Sequence, residues 1–173
     1  MNPAYLLALL LLPATAHAAA PIQNGGNLGL GLGAGTGVTG LSVKYFIGAD
    51  FALQGVLGPW NALDLDPLSS GINSSSSGSF AVSLDFILES QPVINGTFMD
   101  VAFNWGGGLA IVPDSGPLAG AAGIGGLELN FEAIPIDVVF EYRPHVWFYP
   151  DVDFDWVGFT GHIRVYPFPA GPK

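Results

Sequence analysis

The chain has 173 residues, half of them hydrophobic and only 10% charged, against about 25% charged in an ordinary soluble domain. Four Lys and Arg against fourteen Asp and Glu give a formal charge of −10; this excludes a nucleic-acid binder, which needs clustered basic groups to neutralise phosphate. There is no cysteine, so disulfides play no part. Gly and Pro, 25 and 14 residues, break every later apolar run before it reaches the roughly 20 residues of a spanning helix.

Residues 1–18, "MNPAYLLALLLLPATAHA", read as a secretory signal peptide: an apolar run from Ala4 to Leu12, then Pro13, then the small-residue box Ala16-His17-Ala18. That run is about half the length a transmembrane helix requires. Residues 19–168 then form one domain, and "PAGPK" at 169–173 is a short extension.

After the signal the hydrophobic period is two, which predicts strands at 27–33, 39–46, 51–57, 79–88, 101–112, 125–131, 136–143 and 156–166. Alternation sorts them into two unlike faces. One carries only large apolar residues, among them Leu28, Leu30, Leu32, Val43, Leu84, Phe86, Phe103, Leu127, Phe140 and Ile163. The other carries Gly29, Gly31, Gly33, Gly106, Gly108, Gly126 and Gln54 together with every strand charge.

Volume decides which face points inward. An eight-stranded barrel has an interior just wide enough for side chains to fill, and nearly thirty large residues would overfill it. Glycines and a few charged groups fit there instead, the glycine gaps admitting charged side chains from other strands. The apolar face then lies outside, where only lipid stabilises it. In lipid no water satisfies an open sheet edge, so the strands must close into a ring. The predicted fold is all-β, a closed antiparallel up-and-down transmembrane barrel of eight strands.

With the amino terminus in the periplasm, 58–78, containing "SSGINSSSSGS", and 113–123 are long outer loops, while 48–50 and 133–135 are tight inner turns. "GAGTGV" and the acidic turn near Asp151 are short outer loops, and 89–97 is a long inner one. Trp60, Trp147, Phe148, Tyr149 and Trp156 are expected in an outer aromatic girdle, and Tyr45, Phe46, Phe98, Tyr166 and Phe168 in an inner one.

The stretches "GLGLGAGTGVTGLSVKYF", "ADFALQGVLG", "VVFEYRPHV" and "GHIRVYPF" resemble the small eight-stranded outer-membrane β-barrels of the OmpA/OmpX type. More particularly, the chain is similar to a group of outer-membrane barrels that open with a Gly-Leu repeat and a GTGLS-KYF-like second strand. The resemblance covers nearly the whole mature chain. It implies residence in the cell outer membrane, contact with outer-membrane lipid, insertion by the outer-membrane assembly machinery through the aromatic last strand, and no known catalytic set. A monomer is expected.

Charges inside a barrel must be paired, because an isolated one loses its hydration without replacement. A turn centred on Ile134-Pro135 puts Glu128 opposite Glu141, two carboxylates that need cations nearby. The candidate site is a lumenal polar network of Lys44, Asp85, Glu128, Glu141, Arg143, His162 and Arg164 that plugs the barrel. A narrow ion or small-solute pore is the alternative, and a soluble periplasmic ligand-binding barrel a further one. Ser42, Ser83 and His162 share the inner face, whereas a lipid hydrolase would expose its nucleophile and base to lipid, so no enzyme, cofactor or metal is expected.

Three motifs fail on context. Asp151, Asp153 and Asp155 alternate as in a calcium loop, but the sixth and twelfth positions are Trp156 and His162 where an EF-hand needs Gly and Glu. Asp64, Asp66, Asp114, Asp151 and Asp153 are instead read as solvated loop charge. "GTGVTG" at 35–40 fits a dinucleotide string but is followed by strand-period "LSVKYF" rather than a helix. "NGT" at 95–97 is a glycosylation sequon, without consequence on a periplasmic connection in a bacterial host.

Overall fold

The computed structural model describes residues 22–61, 79–113, 117–131 and 133–168; residues 1–18, expected to be a signal peptide, most of the Ser-rich stretch and residues 169–173 lie outside them. The described chain is all strand and turn. Eight long strands follow in order: β1 (Leu28–Gly35), β2 (Gly40–Phe46), β3 (Phe51–Asn61), β4 (Phe80–Glu89), β5 (Met99–Val112), β6 (Leu118–Phe131), β7 (Ile136–Tyr142) and β8 (Phe159–Val165). Each pairs antiparallel with its sequence neighbour, and β8 returns to β1, with Ile163 between Val138 and Leu32. The sheet is a closed up-and-down barrel.

Strand partners followed from Gly35 run through Thr160, Glu141, Gly126, Asn104 and Glu89. Glu89 N–H then bonds Asp50 O, and across the β2–β3 turn the path comes back to the segment leading into β1, where a Cβ on Gly25 would lie 3.4 Å from Gly48 Cα. The circuit closes far below its start. Such a stagger tilts the strands by roughly 35–45°.

The faces separate as alternation requires. Every large residue assigned to the outside, from Leu28 to Val165, retains solvent exposure, Leu32 at 64% and Leu84 at 59%. Lys44, Asp85, Glu128, Asp137, Glu141 and Arg164 are each 2% exposed or less. The inward glycines are gaps filled by neighbours: a Cβ on Gly33 would stand 2.6 Å from His162 Nδ1, and one on Gly126 2.6 Å from Asn104 Oδ1. On Gly31 it would strike the β8 backbone, 2.7 Å from Arg164 Cα. The Leu-Gly repeat thus lets β1 lie against β8 with bulk on one side only.

Several expectations need correcting. Residues 118–123, expected in an outer loop, open β6, and β3 runs to Asn61 rather than Leu57. The acidic turn at Asp151 belongs to a projecting hairpin of two short strands, His145–Tyr149 and Asp153–Asp155, the first of which also pairs with β6. The last long strand begins at Phe159 rather than Trp156, because Trp156–Gly158 fall between strands where alternation breaks. Two further short strands, Gly37–Val38 and Ile94–Asn95, extend the barrel ends. Gly37, with φ at +116°, makes the turn that lets Val38 reach Trp60.

Candidate functional site

Seen from the end where β1 begins (the near end), the lumen is polar from Asp137 up to Arg143 and apolar above. At the far end Trp60 and Trp147 meet edge to face, ring centroids 5.2 Å apart, among Val38, Val56, Ala81, Ala110, Val112 and Leu118. Both indoles are buried, so neither belongs to an aromatic girdle. Alternation explains this: Trp60 has the parity of inward Gln54, and Trp147 that of inward Glu141. Phe46 and Tyr166, likewise expected outside, are fully buried near-end residues with ring centroids 6.0 Å apart. They share the parity of Lys44 and Arg164. Phe148, Tyr149, Trp156, Tyr45, Phe98 and Phe168 are exposed.

All seven expected network residues face the lumen and are buried. Lys44, from β2, reaches across to β4 and β6 and forms ion pairs with both Glu89 and Glu128; its ammonium also lies 4.8 Å from the centroid of the Phe46 ring. Arg143 joins Asp85 at 2.6 Å and Glu141 at 3.2 Å. Arg164 donates Nε–H to Asp137 at 3.0 Å, and Tyr166 donates its hydroxyl to the same carboxylate at 2.6 Å.

Gln54 links these pairs. Its Oε1 accepts from Arg164 Nη1 at 2.5 Å, while its Nε2 donates to Glu141 at 3.1 Å and stands 3.4 Å from Asp85. Each end of the amide meets the charge it complements. The expected pairing of Glu128 with Glu141 does not occur: Glu128 faces Val139 and Glu141 faces Gly126. With Phe131 paired to Ile136, the turn centre sits one residue earlier than Ile134-Pro135, and a one-residue shift of centre moves each partner by two.

His162 lies between Ser42, whose hydroxyl is 3.1 Å from Nδ1, and Glu141, 3.3 Å from Nε2. A serine, an imidazole and a carboxylate in a row are the parts of a nucleophilic relay. Here Ser42 is fully buried, and the row holds the imidazole fixed beside Gly33. A cavity of about 10 Å³, lined by Trp60, Ser83, Arg143 and His145, has room for about one water.

Sequence reasoning omitted Gln54, Glu89, Asp137 and Tyr166 from the network. Gln54 and Asp137 already stood on the polar face, and ending the fourth segment at Glu89 instead of Leu88 would have added the third. Asp153 and Asp155 accept from the backbone N–H groups of Phe154 and Val157; Asp64, Asp66 and Asp114 lie outside the described residues. No helix follows Gly35–Gly40, as the motif's context implied. Comparison with protein-family models, curated proteins and solved structures finds no match.

Proposed function

We propose that the chain is an integral outer-membrane barrel, exported by a cleaved amino-terminal signal and inserted by the outer-membrane assembly machinery. On this reading its lumen is filled, and its role is structural or surface-interactive through the far-end connections. One observation carries the reading: among the described residues no Asp, Glu, Lys or Arg stands at an outward position of β1 to β8, and the charge on those eight strands faces inward. In water that surface would be an apolar patch many times larger than the few hundred Å² a soluble monomer tolerates.

The dimensions agree with a membrane. On β4, Phe80, Val82, Leu84, Phe86 and Leu88 point outward in succession, about 27 Å along the strand at roughly 3.4 Å per residue. Tilted by about 40°, that band stands about 21 Å tall, close to the ~25 Å apolar belt of such barrels. Outward aromatics border it, Tyr142, Phe148, Phe154, Trp156 and Phe159 at the far rim and Tyr45, Phe51 and Phe98 at the near rim. A soluble carrier would need its ligand cavity where the ion pairs stand. A pore would need the Trp60–Trp147 layer removed.

Cell fractionation with gel migration tests the reading. A band in the outer-membrane fraction whose unboiled form migrates differently from the boiled form is expected; a detergent-independent soluble protein would overturn it. In planar bilayers the purified barrel should be electrically silent, and steady conductance steps would favour the pore.

A further inference from the structure

At the near end, four carboxylates, Asp100, Glu128, Asp137 and Glu89, face two cationic side chains, Lys44 and Arg164. The pairing is uneven. Asp137 is satisfied by Arg164 and Tyr166, and Lys44 divides between Glu89 and Glu128. Asp100 has neither cation. It sits on β5 directly opposite Asn130 of β6, and Glu128 stands two residues along β6 on the same inward face.

Three oxygens of this patch, Asp100 Oδ1, Glu128 Oε1 and Asn130 Oδ1, are buried without a hydrogen-bond partner. Glu128 is 0% and Asn130 7% exposed. Leaving buried acceptors unmatched is costly, and here they are gathered on the inward face of two paired strands: Asp100 and Asn130 are directly opposed, which sets their Cβ atoms about 4.5–5.5 Å apart, and Glu128 is the diagonal neighbour of Asp100. All three are hard oxygen atoms. Grouped oxygen acceptors with excess negative charge suit a hard divalent cation, which takes carboxylate and amide oxygens and completes its shell with water. The described His, Asp and Glu side chains do not by themselves form a metal cluster; the Asn130 amide supplies the third oxygen.

We propose that Asp100, Glu128 and Asn130 form a divalent-cation site at the near mouth of the barrel, calcium being the first probe. The ion balances the unpaired charge and ties β5 to β6 at the near end. Asp100, which is partly exposed, is the entry point. The site does not depend on where the barrel resides.

The test uses the whole mature chain folded in detergent micelles and stripped with a chelator. Calorimetric titration with CaCl₂, with MgCl₂ as a second arm and NaCl at matched ionic strength as the control, should show saturable one-to-one binding of a divalent ion and a raised unfolding midpoint. Asn130→Leu and Asp100→Asn should each weaken binding about tenfold or more. Absence of saturable divalent binding to the wild-type protein would overturn the proposal whatever the variants do. So would a response matched by NaCl, or affinity unchanged in both folded variants.

Discussion

Gln54 and Arg164, 110 residues apart in the chain, meet at 2.5 Å in the middle of the barrel, and the opposite end of the same amide bonds Glu141. The glutamine is neutral and offers both a donor and an acceptor, which lets one side chain join a cation to an anion without adding charge. Gln54→Leu removes both bonds and should cost about 1–3 kcal/mol. Gln54→Glu keeps the shape and the bond to Arg164 but turns a carboxylate toward Glu141 and Asp85. It should cost more, on the order of 3–5 kcal/mol. Urea unfolding of the two variants in micelles checks the ranking; a milder Gln54→Glu would mean that the amide does not bridge the charges.

Two glycines on neighbouring strands should respond in opposite directions to one added methyl. A Cβ on Gly108 would collide with the Asp85 carboxylate and lie 3.0 Å from Leu84 O, whereas one on outward Gly125 meets nothing within 4 Å. Gly108→Ala pushes Asp85 off Arg143 and is expected to destabilise by about 1–3 kcal/mol. Gly125→Ala restricts only the unfolded chain and should stabilise by about 0.4–1 kcal/mol. Equal effects, read from the unfolding midpoints, would contradict the assignment of faces.

The fold was legible because alternation is a local signal: Leu28, Leu30 and Leu32 against Gly29, Gly31 and Gly33 state the face of β1 without help from any other strand. It failed where side-chain contrast vanishes. "LAGAAGIGG" at 118–126 holds so many Gly and Ala residues that its first half reads as loop, although it makes a full ladder with β5. Pro144 and Pro150 similarly hide the His145–Asp155 hairpin. The network's members were legible by parity, but their partners were not. Lys44 meets Glu128 across 84 residues, and that contact depends on the barrel's stagger, a global quantity fixed only when all eight registers are known.

The Trp60–Trp147 pair caps the charged lumen with an apolar layer, and His145 stacks on Trp147 with rings 5.5 Å apart and 5° from parallel. Trp147→Ala should cost about 3–5 kcal/mol and abolish the near-ultraviolet circular dichroism of the coupled indoles. The ion pairs beneath the cap still fill the lumen, so the variant is expected to remain silent in planar bilayers. Conductance appearing on loss of this one side chain would make the cap, not the charge network, the seal.

The sharpest difference between a membrane barrel and a soluble one lies at Leu84, midway along β4 and 59% exposed. Its neighbours on β3 and β5 are Gly55 and Leu109, so no internal contact depends on it. In water, Leu84→Arg would change stability by no more than about 0.5 kcal/mol. In lipid, an arginine at the midplane costs about 2–4 kcal/mol. Val152, 70% exposed between the strands of the far-end hairpin, lies beyond the apolar band, and Val152→Arg should be close to neutral in either medium. Urea titration in phospholipid vesicles should therefore separate the two variants by about 2 kcal/mol or more; equal midpoints would place Leu84 in water and remove the basis for the membrane reading.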